Sequence, residues 1–167
     1  THYTFPFFLS NFPTSILDLQ AGGWQMIGPP KVAEREEGAT VLLALTPPDY
    51  RPRVLLAGGG KPGGADPTAA AEVIDLGADK PEWYAVESMK NARYYCYSVL
   101  LPNKQVLVLG GKKGERRHAS HDSGTHAQHV MPPGEVHHDP LAILDCEIFN
   151  PETETWTEWM LPGNEPQ

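Results

Sequence analysis

The stretch NARYYCYSVLLPNKQVLVLGG, Asn91 to Gly111, decides the fold. It reads as an apolar strand, a tight turn at Pro102-Asn103-Lys104 and a second apolar strand closed by a glycine pair, which together make a β-hairpin. A second copy lies upstream. RVLLAGGG, Arg53 to Gly60, matches QVLVLGGK, Gln105 to Lys112, at an offset of 52 residues. The pattern R-x-x-x-x-x-V-L-L occurs at Arg35 to Leu43 and again at Arg93 to Leu101, an offset of 58. In the upstream copy the turn is the longer, proline-rich TPPDYRP.

A third pattern occurs three times, as SILDLQAGGW (Ser15 to Trp24), EVIDLGADKPEW (Glu72 to Trp83) and EIFNPETETW (Glu147 to Trp156). Each reads as strand, turn, strand. Asp18, Asp75 and Asn150 suit the turn because a short polar side chain bonds to the backbone two residues on, and each tryptophan re-enters the next strand as a packing anchor. One full unit is thus an apolar hairpin ending in Gly-Gly, a variable loop, and a second hairpin ending in Trp. Four short antiparallel strands in about 50 residues is the pattern of a propeller blade.

The expected fold is all-β, a β-propeller segment of two complete four-stranded blades plus part of a third. Residues 1–34 form the incomplete blade, 35–92 a blade, and 93–167 a blade with an insertion over 112–142. In the first unit YTFPFFLS runs directly into NFPTSILDL, and no Gly-Gly hairpin precedes it. An open edge follows, so further propeller blades of the same or another chain are expected as partners.

Composition agrees and excludes several classes. The 16 glycines and 17 prolines among 167 residues point to many tight turns rather than long helices. With 13 Lys+Arg against 21 Asp+Glu the net charge is −8, which argues against a nucleic-acid partner held through phosphates. No stretch has the roughly 18 apolar residues of a membrane helix, and THYTFPFF lacks the basic flank of a signal peptide. Cys96 and Cys146 do not make a disulfide framework. The glycine pairs have a structural reason, since glycine lets strand ends turn and backbones approach. GGGKPGG lacks the Ser/Thr and helix of a phosphate-binding loop.

The strand-terminal Gly-Gly and the downstream Trp resemble the kelch repeat. Asn91 to Gly111 further resembles the galactose oxidase and glyoxal oxidase group, secreted copper radical oxidases built on a propeller, through its Ala-Arg-x-Tyr opening and the hairpin that follows. The resemblance implies that Tyr95, 15 residues before Gly110, stands where those enzymes keep a copper-binding tyrosine. That tyrosine is thioether-linked to a cysteine one blade earlier, and the offset of 58 puts Glu37 in the cysteine slot. Lys113 stands where the galactose oxidases place a tryptophan over the crosslink. Without a thioether the tyrosyl radical loses a substituent that lowers its potential. Cys96 is no substitute, because neighbours on a strand face opposite ways, and it reads as a buried apolar residue.

The insertion holds six of the seven histidines. The spacings His118/His121 and His126/His129 offer imidazoles to zinc or copper, but the stretch is polar and interrupted by Gly and Pro. In a four-stranded blade this loop leaves from the side where Glu37 and Tyr95 lie, so Glu37, Tyr95, Lys113, Arg116 and Arg117 are expected on one rim. The primary functional expectation is a binding or scaffold module for carbohydrate or protein without the radical cofactor; the sequence leaves enzymatic activity open, with copper as the cofactor if there is one. Extracellular or periplasmic location follows from the resemblance. One alternative is a copper radical oxidase of alcohols, aldehydes or sugars; the other is an intracellular kelch interaction adaptor.

Overall fold

The computed structural model describes residues 14–32, 35–61, 66–114 and 141–159. Ten short strands and no helix appear among them. The first sheet pairs β1 (Thr14–Asp18) with β2 (Gly23–Gly28). The second is a four-stranded antiparallel meander of β3 (Ala39–Leu42), β4 (Arg53–Ala57), β5 (Ala71–Asp75) and β6 (Trp83–Val86). The third repeats it with β7 (Tyr97–Leu100), β8 (Val106–Leu109), β9 (Cys146–Asn150) and β10 (Thr155–Trp159). This is a partial β-propeller: half a blade followed by two whole ones.

The turns form for the local reason expected. Asp18 Oδ1 accepts from the Gln20 amide at 2.8 Å, Asp75 Oδ1 from Gly77 at 2.9 Å and Asn150 Oδ1 from Glu152 at 3.0 Å, so one side chain closes the outer hairpin of every unit. The second glycine of each pair is needed where it stands. Gly59 and Gly111 have φ of 95° and 88°, and a Cβ there would lie 2.8 Å from the Glu36 carbonyl oxygen and 2.6 Å from that of Tyr94.

Successive residues on a strand feed different interfaces. On β4, Leu55 joins Ala57, Val73, Val106, Val108 and Phe149 in the core between the second and third sheets. Leu56, next to it, joins Ile74 and Trp83 on the side of the first sheet, against Ile27 of β2. Both faces of the second sheet are therefore covered, as an interior blade requires. Truncating a leucine of this kind to alanine costs about 2–5 kcal/mol.

Tryptophans tie each blade to its predecessor. Trp83 Nε1 donates to Thr14 Oγ1 at 2.7 Å, and Trp156 Nε1 donates to the Glu87 carbonyl at 2.7 Å. Trp24 has no preceding blade to meet among the described residues and is 63% exposed, whereas Trp83 is 6% exposed.

Candidate functional site on the inner-strand rim

A buried ion pair fixes the start of each complete blade. Arg93 donates from Nη2 to Glu147 Oε1 at 2.8 Å and from Nη1 to the carbonyls of Gly110 and Asp145. Glu147 also accepts the amides of Lys90 and Asn91, at 2.6 and 3.2 Å. Arg35 and Glu72 repeat this arrangement one blade earlier, with Glu72 accepting from Lys31 and Val32. Burial pushes the Arg35 guanidinium below its usual range, against the opposing pull of Glu72. Each carboxylate thus clamps the incoming chain, and each arginine neutralises it out of solvent.

The clamp delivers the chain to a kink. Two residues past each arginine stand Glu37 and Tyr95, with φ of 56° and 55°, a left-handed conformation rare for residues with a side chain. The Tyr95 amide donates to the Glu37 carbonyl at 2.9 Å, so the two kinks touch across the blade interface. Glu36 bridges to Gly60 and Tyr94 to Lys112, which places Glu37 and Tyr95 at the same point of two neighbouring blades. The offset of 58 is therefore a structural equivalence, and Glu37 occupies the position one blade before Tyr95.

The kink turns both side chains outward. Tyr95 is 45% exposed, with its ring 4.6 Å from that of the buried Tyr94 at a 42° tilt, and Glu37 is exposed. Cys96 points the other way and is buried at 8%. Burial pushes its thiol pKa up, which keeps the sulfur protonated and poor as a nucleophile or ligand. Its Sγ lies 3.9 Å from the Ala57 carbonyl oxygen. The expectation of a buried apolar role is met.

Lys113 is exposed, and its amide donates to the Leu141 carbonyl at 2.9 Å, while Lys112 bridges both Tyr94 and Ala142. The two stems of the insertion therefore leave and return beside Lys112, which bridges to Tyr94. Arg116, Arg117, His118, His121, His126 and His129 lie outside the described residues. Of the expected set, Glu37 and Tyr95 meet through one backbone hydrogen bond, and Lys113 stands next to Lys112, which bridges to Tyr94.

No family model matches the chain, and no curated relative does. A solved structure does match it: a fungal alcohol oxidase with catalytic diversity among the AA5 family, in complex with copper. The fold shared with it is that of a partial β-propeller. Similarity covers 89% of this chain at a TM-score of 0.64 and 19% identity, and the chain spans 27% of that oxidase. At this identity the likeness establishes the architecture.

The slot one blade before Tyr95 carries a carboxylate, the Cys96 sulfur is buried away from the exposed phenol, and no cluster of three His, Cys, Asp or Glu forms among the described residues. The two arginine-paired glutamates escaped sequence reading. Their signal was present as an acidic residue at the same place in two apolar strands, three before the turn residue.

Proposed function

We propose that this chain is part of a kelch-type propeller of the galactose-oxidase-like group that acts outside the cell as a binding module, taking carbohydrate or a protein loop on the rim carrying Glu37, Tyr95 and Lys113. The observation that supports this reading is the Glu37–Tyr95 equivalence, since Glu37, an exposed acidic residue, stands one blade before the exposed Tyr95, where the resemblance implies a cysteine. An exposed aromatic ring next to a carboxylate suits a sugar, because the ring covers an apolar C–H face while the carboxylate accepts hydroxyl hydrogens. Loops rooted on a rigid sheet, as the insertion is at Gly114 and Leu141, are where such scaffolds carry binding residues.

The second reading is a copper-dependent alcohol oxidase, favoured by the architecture shared with the AA5 oxidase and by the exposed phenol of Tyr95. The two separate cleanly. Calorimetric titration with neutral oligosaccharides should show binding that Tyr95→Ala weakens at least tenfold. Copper-reconstituted protein should oxidise neither primary alcohols nor galactose, and its peptide mass map should lack a Tyr95 crosslink. Alcohol oxidation lost in Tyr95→Phe would replace the first reading with the second.

A further inference from the structure

Three consecutive carbonyls ahead of β5 do not alternate as they would along a strand. Ala70 O accepts from the Gly58 amide at 3.0 Å and from Arg35 Nη1 at 2.9 Å, both in its own blade. Ala69 O and Thr68 O instead serve the chain entering the next blade, accepting the amides of Met89 at 2.9 Å and Arg93 at 3.2 Å. In a paired strand neighbouring carbonyls point to opposite sides. Thr68 makes the exception. The Ala70 amide donates to Thr68 Oγ1 at 3.1 Å, a side-chain bond across two residues that bends the backbone just before β5 begins at Ala71.

The same residue closes a ring of backbone bonds. The Thr68 amide donates to the Gly59 carbonyl at 2.8 Å, the Gly59 amide to the Arg93 carbonyl at 2.8 Å, and the Arg93 amide returns to the Thr68 carbonyl. Gly59 reaches both partners from its left-handed conformation. Arg93 enters the ring with its side chain already fixed by Glu147, and Tyr95 stands two residues further on. Each residue from Arg93 to Tyr95 is thus held by a different segment: Arg93 by Thr68 and Gly59, Tyr94 by Lys112, and Tyr95 by Glu37. The hold at Arg93 is the one that a single side-chain oxygen sets, that of Thr68.

We propose that Thr68 is a positioning residue for Tyr95: its hydroxyl oxygen fixes the bonded ring on which the backbone of the rim tyrosine hangs, and thereby the affinity of the rim for its ligand. This rests on the reading that Tyr95 contacts the ligand; Thr68 is half-buried and acts through the backbone. The phenol is exposed and its ring meets that of Tyr94, so its place on the rim is set largely by where its backbone stands. A ligand stacking on it binds more tightly when that backbone is already ordered, because less ordering is left to the binding step. Thr68→Val keeps the β-branch and removes the oxygen, leaving the half-buried Ala70 amide without its acceptor and the bend without its closing bond. Thr68→Ser retains the oxygen.

The test compares the wild-type chain with Thr68→Val and Thr68→Ser, well below their melting temperatures, by NMR relaxation of the backbone amides and by calorimetric titration with neutral oligosaccharides. In the wild type, Gly59, Thr68, Arg93 and Tyr95 should have the order parameters of rigid backbone, about 0.85. In Thr68→Val those of Arg93 and Tyr95 should fall by at least about 0.1, while those of Val73 and Ile74 in β5 stay unchanged. Oligosaccharide affinity should fall about fivefold, the equivalent of one hydrogen bond, and Thr68→Ser should keep both readouts at the wild-type level. A Thr68→Val variant with a lower melting temperature but an unchanged Tyr95 order parameter would overturn the proposal, because Thr68 would then serve stability alone. So would a Thr68→Ser variant as impaired as Thr68→Val, or a wild-type Tyr95 already in the flexible range below about 0.6. A wild type that binds no oligosaccharide would remove the binding reading, and the order parameters would still decide whether Thr68 holds Tyr95. A wild type that binds, with Thr68→Val binding equally well, would overturn this proposal alone.

Discussion

The amide of Tyr95 donates to the carbonyl of Glu37 at 2.9 Å, joining two residues that share one left-handed backbone conformation in successive blades. Because the conformation recurs where the side chains differ, the fold imposes it, and what the rim displays is chosen by the residue placed there. Glycine at such a position is unstrained, and a β-branched residue is strained most. Glu37→Val should therefore be less stable than Glu37→Gly by about 1–2 kcal/mol, read from the difference in urea midpoints. Equal midpoints would mean that the kink is not held in the folded protein.

The clamp around Glu147 makes a second prediction. Glu147→Ala leaves the Arg93 guanidinium buried without its carboxylate and leaves the amides of Lys90 and Asn91 without an acceptor. A loss of about 3–5 kcal/mol is expected. The double variant Arg93→Leu/Glu147→Leu should lose clearly less than the sum of the two single changes, since it buries no orphan charge. A double-mutant cycle in urea measures the coupling, and additive losses would place the pair in solvent.

How far the sequence reveals this structure depends on how local the determining interaction is. The turn residues Asp18, Asp75 and Asn150 were legible because each bonds two residues away, and the glycine pairs because backbone geometry leaves no other choice at Gly59 and Gly111. The Glu37–Tyr95 register was legible because Arg35 and Arg93 mark the same buried point in each copy. The partners of those arginines were not, since Glu72 and Glu147 lie 37 and 54 residues away, beyond loops of different length. Glu154 shows the same limit. In sequence it belongs to an acidic turn with no nearby cation, yet folding brings Tyr84 and Arg53 of the preceding blade against it.

The tryptophans divide by position rather than by strand. Trp83 is enclosed by Leu56 and Ile74 and bonds to Thr14, while Trp24 at the open end is solvated. Trp83→Ala should cost about 3–5 kcal/mol, and Trp24→Ala should change stability by no more than about 0.5 kcal/mol. Acrylamide quenching of the Trp24→Phe variant should fall below that of the wild type, because the most accessible indole has been removed. Unchanged quenching would show that Trp24 is covered in solution.

Alkaline titration reads the contact between the outer edges of the two complete blades. The Tyr84 hydroxyl donates to Glu154 Oε1 at 2.7 Å. Partial burial, then the bond and charge of Glu154, push its pKa up from 10.0 to about 12, against a smaller opposing effect of Arg53. The neutral phenol is thus favoured in the folded chain. Below about pH 10 both folded and unfolded chains hold it neutral, and its contribution to stability is fully present. Between about pH 10 and 12 the unfolded chain ionises first, so that contribution falls as pH rises and is gone above 12. Solvent screening at this half-exposed site keeps the effect small. Tyr84→Phe should accordingly flatten the fall in stability across that window and remove a phenol that titrates near pH 12 from the absorbance curve near 295 nm. A variant whose stability declines as steeply as the wild type would show that Glu154 does not hold this hydroxyl in solution.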